Sequence, residues 1–213
     1  MSKIIPTIMP KDFADLVAKY ELVSPFVDEV QIDVSDGIFV EKETWRNPSD
    51  LLSSVFITMP FELHLMIDKP ERTIEKWLAT GAERILVHFE ATNDLRTIMN
   101  LAKVTGTEIG LVLNIDTPIA SAEKWYPELY TVQLMGIRKV GFQGQPFEEK
   151  VIERITELHR VAPHVTIAID GGVSLLTVRA LSLAGAERLL VGSAIFSSEN
   201  PAKSYNELKA KIS

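Results

Sequence analysis

Gly185-Ala186-Glu187-Arg188-Leu189-Leu190-Val191 echoes an earlier stretch of the same chain, Gly81-Ala82-Glu83-Arg84-Ile85-Leu86-Val87. In each, a glycine suited to closing a helix leads through a short polar turn into an aliphatic run with the character of a buried strand. Working outward, such runs recur at residues 3–8, 29–34, 61–66, 84–89, 108–114, 129–134, 165–169 and 188–191. Amphipathic helical patterns lie between them, at 70–80, 94–104, 148–161, 174–184 and 201–212. In the first of these Ile74, Trp77 and Leu78 share a face, and Pro70 and Pro201 suit a first helical turn. The strands are nearly continuous in apolar residues, as parallel strands covered on both faces are. Eight strand–helix units predict a single (β/α)8 barrel (TIM barrel), one domain over 1–213. A doubly wound open sheet has the same alternation. The echo falls at the fourth and eighth strands, four units apart, and favours the barrel. Half-barrel duplication and a recurrent αβ-loop solution both account for it.

The composition fits that class. The 213 residues are 46% hydrophobic and 24% charged, enough for a sizeable core. No apolar run reaches a membrane span, residues 1–6 lack a signal-peptide layout, and cysteine is absent. A soluble, cytoplasmic protein with no membrane partner is expected. The net charge of −7 argues against nucleic acid as a partner. A phosphorylated substrate would have to be held by local backbone dipoles.

In a barrel of this kind the chemistry collects at the C-terminal ends of the strands. Those ends carry Thr7, Gln31 with Asp33, His64 with Met66, His88, Asn114, Met135, Asp170 and Gly192. Gln31 and Asp33, two apart, share a face. Asp170-Gly171-Gly172 and Gly192-Ser193 each follow a strand with small residues and backbone N–H groups, a natural cradle for a phosphate dianion beside a carboxylate. Asp36, followed by Gly37, reads as turn chemistry, whereas Asp33 and His64 lie inside apolar runs and need a reason to be there. His88 is open between a hydrogen-bonded core histidine and a site residue. His159 and His164 read as surface, and Met66, Met135 and Phe142 as packing or pocket wall.

Seven segments, in order along the chain, resemble the ribulose-phosphate 3-epimerase family. They are Pro6-Thr7-Ile8-Met9-Pro10, Gln31-Ile32-Asp33-Val34-Ser35-Asp36-Gly37, His64-Leu65-Met66, Leu113-Asn114-Ile115-Asp116-Thr117-Pro118, Gly141-Phe142-Gln143-Gly144-Gln145, Asp170-Gly171-Gly172-Val173 and Val191-Gly192-Ser193-Ala194-Ile195-Phe196. The resemblance implies a barrel that moves a proton at C3 of a phosphorylated ketose, with Asp33 and Asp170 as the acid–base pair. It implies a divalent metal (zinc, iron or manganese) on Asp33, His64 and Asp170, with Gln31 where a fourth ligand, a histidine, is usual. It places phosphate and substrate contacts on Thr7, Met66, Gly141, Gln143, Gly144, Gly171, Gly172, Gly192 and Ser193, and it implies a homo-oligomer.

Several positions depart from the family pattern. A glutamine amide is a neutral, poorer ligand for zinc than an imidazole; Gln31 could bind metal, support a ligand from behind, or contact substrate. Gln143 replaces a glycine where φ could be positive, and Arg138 and Lys139 could bring charge to the anion. Ile38 and Glu41-Lys42 change substrate-facing loops, which leaves room for a different pentulose or hexulose phosphate. A non-catalytic phosphosugar-binding barrel with a degraded metal site is a further reading. Sibling decarboxylases and aldolases carry Asp-x-Lys-x-x-Asp at the second strand; Asp33-Val34-Ser35-Asp36 has no such lysine, which counts against them.

Overall fold

The computed structural model describes residues 2–212. Eight strands close into a barrel in chain order, with parallel pairing between neighbours. The strands are β1 (Lys3–Ile8), β2 (Val30–Ser35), β3 (Phe61–Met66), β4 (Arg84–His88), β5 (Glu108–Leu113), β6 (Thr131–Met135), β7 (Thr166–Asp170) and β8 (Arg188–Val191). The helices are α1 (Phe13–Val23), α2 (Ser49–Leu52), α3 (Ile74–Leu78), α4 (Leu95–Thr105), α5 (Lys150–Val161), α6 (Val178–Ala184), α7 (Ser193–Phe196) and α8 (Pro201–Ile212). Two 3-10 segments, Pro70–Arg72 and Ile119–Glu128, complete the set. This is the (β/α)8 barrel that the strand count and the echo predict. Among the described residues no helix is long and apolar enough to cross a membrane.

By contacts the chain forms two compact units, Thr7–Gly110 and Met1–Pro6 with Leu111–Ser213. In the first, every residue of β2 is buried, and β2, β3 and β4 run in a register that sets Asp33 beside His64 and Glu62 beside Arg84. Arg84 holds the near-bottom of these strands: its guanidinium donates to Glu62 at 2.7 Å and to both oxygens of Glu108 at 2.7 and 2.8 Å. Those two carboxylates push the already high pKa of Arg84 higher, against the opposing effect of its burial. Helix α1 starts where the Asp12 carboxylate accepts from the Asp15 N–H. Its buried residues Leu16, Tyr20 and Val23 follow at helical spacing.

In the second unit, Ile5, Ala168 and Leu190 pack together from β1, β7 and β8. The loop after β6 lies tight against the turn after β7. Gly136 donates to the Asp170 carbonyl at 2.7 Å, and a Cβ on Gly136 would run into the carbonyl oxygen of Gly171.

Strand limits differ from the sequence expectation by a residue or two, the usual latitude at element ends. Two helices differ for local reasons. The pattern over 70–80 is broken at Thr73, whose φ of −129° and ψ of −2° separate a 3-10 turn from α3. Over 174–184, Ser174 and Thr177 satisfy the backbone of residues 172–176 with their own hydroxyls, so the helix begins only at Val178. Gly185 caps α6 in the left-handed region; Gly81 also has positive φ but lies past the Ala79 cap of α3.

Replacing Arg84 with Met leaves the buried Glu62 short of its guanidinium. We expect a loss of about 3–5 kcal/mol, read as a lower urea midpoint at unchanged m value. Gly136→Ala meets backbone rather than a movable side chain and is expected to cost about 1–3 kcal/mol or more by the same measurement.

Candidate active site

Strand β2 places Gln31 and Asp33 on one face, and both are buried, Gln31 fully and Asp33 to 3% exposure. A carboxylate so placed must be met by donors. The Gln31 amide donates Nε2–H to Asp33 Oδ1 at 3.1 Å, and His64 Nδ1 lies 3.1 Å from the same oxygen. On its far side His64 Nε2 faces His88 Nε2 at 2.9 Å. The ring centroids are 5.0 Å apart with planes 25° apart, so the two imidazoles meet edge to edge. Phe39 covers His88 at 4.8 Å between centroids. Glu90 Oε2 stands 3.4 Å from His88 Nδ1, an electrostatic contact rather than an aligned hydrogen bond. His88, open between two readings in the sequence, is thus both buried and in contact with a site histidine.

The proton count along this chain is informative. Facing ring nitrogens share one hydrogen. If His64 Nδ1–H donates to Asp33, His64 Nε2 accepts from His88. If His64 Nδ1 instead gives its lone pair to a cation, the direction reverses: His64 donates to His88, and His88 presents Nδ1–H toward Glu90. The first state sets a His88 lone pair against the Glu90 carboxylate and the second sets an N–H there, so the imidazole can serve as a metal ligand without stranding a buried proton.

Asp170 ends β7. Gln133, fully buried on β6, directs its amide nitrogen to Asp170 Oδ2 at 3.4 Å and to the Met135 sulfur at 3.9 Å. Asp33, His64 and Asp170 each offer a ligand atom within 4.8 Å of one another. Two carboxylates and an imidazole suit a divalent ion and leave coordination positions open. Next to Asp33 the Gln31 carbonyl oxygen is buried and has no hydrogen-bond partner among the described residues.

The glycine-bearing turns sit where the sequence placed them, at the ends of β6, β7 and β8. Gly141, Gly144, Gly171 and Gly172 all take positive φ. Gln143 does not: among the described residues Lys69 alone of the non-glycines has positive φ. The glutamine that replaces a glycine is therefore unstrained. Its side chain lies over Gly192, where a Cβ would collide with the amide nitrogen. Gly192 leads into α7 at Ser193. Thr7, at 2% exposure, pairs in register with Gln31, and its hydroxyl has no hydrogen-bond partner among the described residues. Met66 and Met135 are buried at their strand ends.

Some expectations change. The Arg138 guanidinium is engaged by Asp116 and Glu148, each at 2.8 Å, and Lys139 lies over the Phe142 ring at 4.4 Å. Arg138 is thus committed to carboxylates of its own loop and of the loop after β5. Asp36 is turn chemistry as read: it accepts from the N–H groups of Ile38, Phe39 and Asp68. His159 and His164 are exposed. Gln133 and Glu90 were not singled out from sequence. Gln133 stands two residues before Met135 on β6, where period-two spacing is the available signal, whereas Glu90 lies in the turn past β4.

Comparison with known proteins agrees with this geometry. The profile described as the ribulose-phosphate 3 epimerase family matches residues 3–196. The ribulose-phosphate 3-epimerase of Bacillus subtilis is 34% identical over 98% of this chain and 99% of its own. That of Escherichia coli K12 is 30% identical over 98% and 95%. Among solved structures, 3-keto-L-gulonate-6-phosphate decarboxylase from Vibrio cholerae superposes with a TM-score of 0.77 at 14% identity, covering 99% of this chain and 97% of that one, a likeness of fold. With the family profile running from the first strand into α7, this chain belongs to the ribulose-phosphate 3-epimerase family and is an isomerase.

Proposed function

We propose that the protein interconverts D-ribulose 5-phosphate and D-xylulose 5-phosphate by proton transfer at C3, with Asp33 and Asp170 as the acid–base pair. The observation that carries this reading is the grouping of Asp33, His64 and Asp170. Epimerisation beside a ketone needs one base to take the C3 proton, giving a planar enediolate across C2 and C3. An acid must then return a proton to the other face of C3. Two carboxylates can exchange those roles between the forward and reverse directions, provided their surroundings separate their proton affinities. Their surroundings do differ: Asp33 is met by Gln31 and His64, and Asp170 by Gln133.

The family's divalent metal has a fitting donor set here in Asp33, His64 and Asp170; when bound it would polarise the C2 carbonyl and offset the enediolate charge. The His64 ring is held for that task from behind by His88. Thr7, buried with its hydroxyl unpartnered, is suited to a sugar hydroxyl, and Met66 and Met135 to an apolar wall. Phosphate would sit against the backbone of Gly141, Gly144, Gly171, Gly172, Gly192 and Ser193, with Gln143 above Gly192 as an added donor. A chain of net charge −7 needs such local dipoles, because its overall field repels the substrate.

In deuterated buffer the enzyme should place deuterium at C3 of D-ribulose 5-phosphate, detected by proton NMR. Asp33→Asn and Asp170→Asn should each lower that exchange by about 10²–10⁴-fold while leaving the melting transition cooperative. Exchange by either variant at the wild-type rate would remove that residue from the mechanism. Removing divalent ions with a chelator should abolish turnover, and adding back zinc, iron or manganese should restore it.

A further inference from the structure

We propose that Gln31 is itself a metal ligand through its carbonyl oxygen, and that this neutral oxygen makes the site less selective for zinc over manganese than an imidazole there would. The inference rests on the metal-site reading above and adds a residue and an ion preference to it.

Gln31 is fully buried near the start of β2, a costly place for a primary amide unless both of its ends are used. Only one end is. The nitrogen donates to Asp33 Oδ1, while Oε1 has no hydrogen-bond partner. Asp33 Oδ1 is also the atom that His64 Nδ1 faces, so Gln31 borders two of the three grouped ligands. With no cation nearby, an amide beside a carboxylate turns its N–H toward that carboxylate. A cation held by the carboxylate reverses the preference, and the terminal torsion of glutamine allows the half-turn because it is broad and close to two-fold. The carbonyl oxygen that now lacks a partner would then gain the cation, a stronger partner than the nitrogen gives up, while the N–H groups take the oxygen's present place.

The consequence is chemical. With Gln31 the donor set is three oxygens and one imidazole nitrogen. Oxygen-rich sets suit manganese, whereas each added imidazole favours zinc. Two carboxylates already balance a divalent charge, so the fourth donor can be neutral without leaving the buried site charged.

The test uses the full chain stripped of metal. Zinc affinity is measured by competition with a chromophoric chelator, and manganese affinity from the electron paramagnetic resonance signal of the free ion. Wild type should bind both. Gln31→His should raise the zinc-to-manganese affinity ratio by about tenfold or more, and Gln31→Met, of similar shape without the oxygen, should weaken manganese by about tenfold or more. Thermal melting of each metal-free variant checks that it folds, and either variant alone suffices for the comparison. Wild-type metal binding that is lost in His64→Ala, together with a ratio unchanged by the Gln31 substitutions, would overturn the role of Gln31 while the site reading stands. No metal uptake by wild type, or uptake untouched by His64→Ala, would overturn the site reading and this inference with it.

Discussion

The Asp33 carboxylate, buried within β2, is the feature around which its neighbours are arranged. An ionised carboxylate out of water is tolerated only when donors surround it, and the side chains of β2, β3 and β4 supply them in sequence. Gln31 and His64 meet the same oxygen, His88 backs His64, and Glu90 stands behind His88. The parallel register that sets Asp33 opposite His64 is what makes the first link possible. A shift of one residue in either strand would turn that side chain to the other face. The site is therefore a property of strand pairing as much as of residue choice.

The turns after β6, β7 and β8 rely on a different constraint, that of space. Gly136 against Gly171, Gly171 against Ile137, and Gly172 against Phe147 leave no room for a side chain. The turns are thus fixed by close packing, with glycine required at each close approach. Arg138, the nearby cation, is neutralised by Asp116 and Glu148.

Much of this was legible in the sequence because each strand is an apolar run ended by polar or small residues. Asp33 and His64 could be singled out since a charge or imidazole inside such a run demands a partner. The turn role of Asp36 was readable from the glycine that follows it. Other features depended on tertiary detail. Gln133 looked like an ordinary strand residue until β6 and β7 aligned. Arg138 looked available for an anion until its loop folded onto Asp116. Helix α1 is marked by Asp12 and by the spacing of Leu16, Tyr20 and Val23, but its polar residues dilute the pattern. The break at Thr73 and the late start of α6 reflect local hydrogen bonds that periodicity does not register.

Asp36 carries a mechanical consequence. One carboxylate oxygen accepts from Ile38 and Phe39 in the loop after β2, and the other accepts from Asp68 in the loop after β3. A single side chain thus rivets two loops that are distant in sequence, and neither can open without breaking a charge-assisted bond to the other. Motion at this part of the rim is then shared: amide protons of both loops should exchange with solvent as one cooperative group rather than as two independent segments.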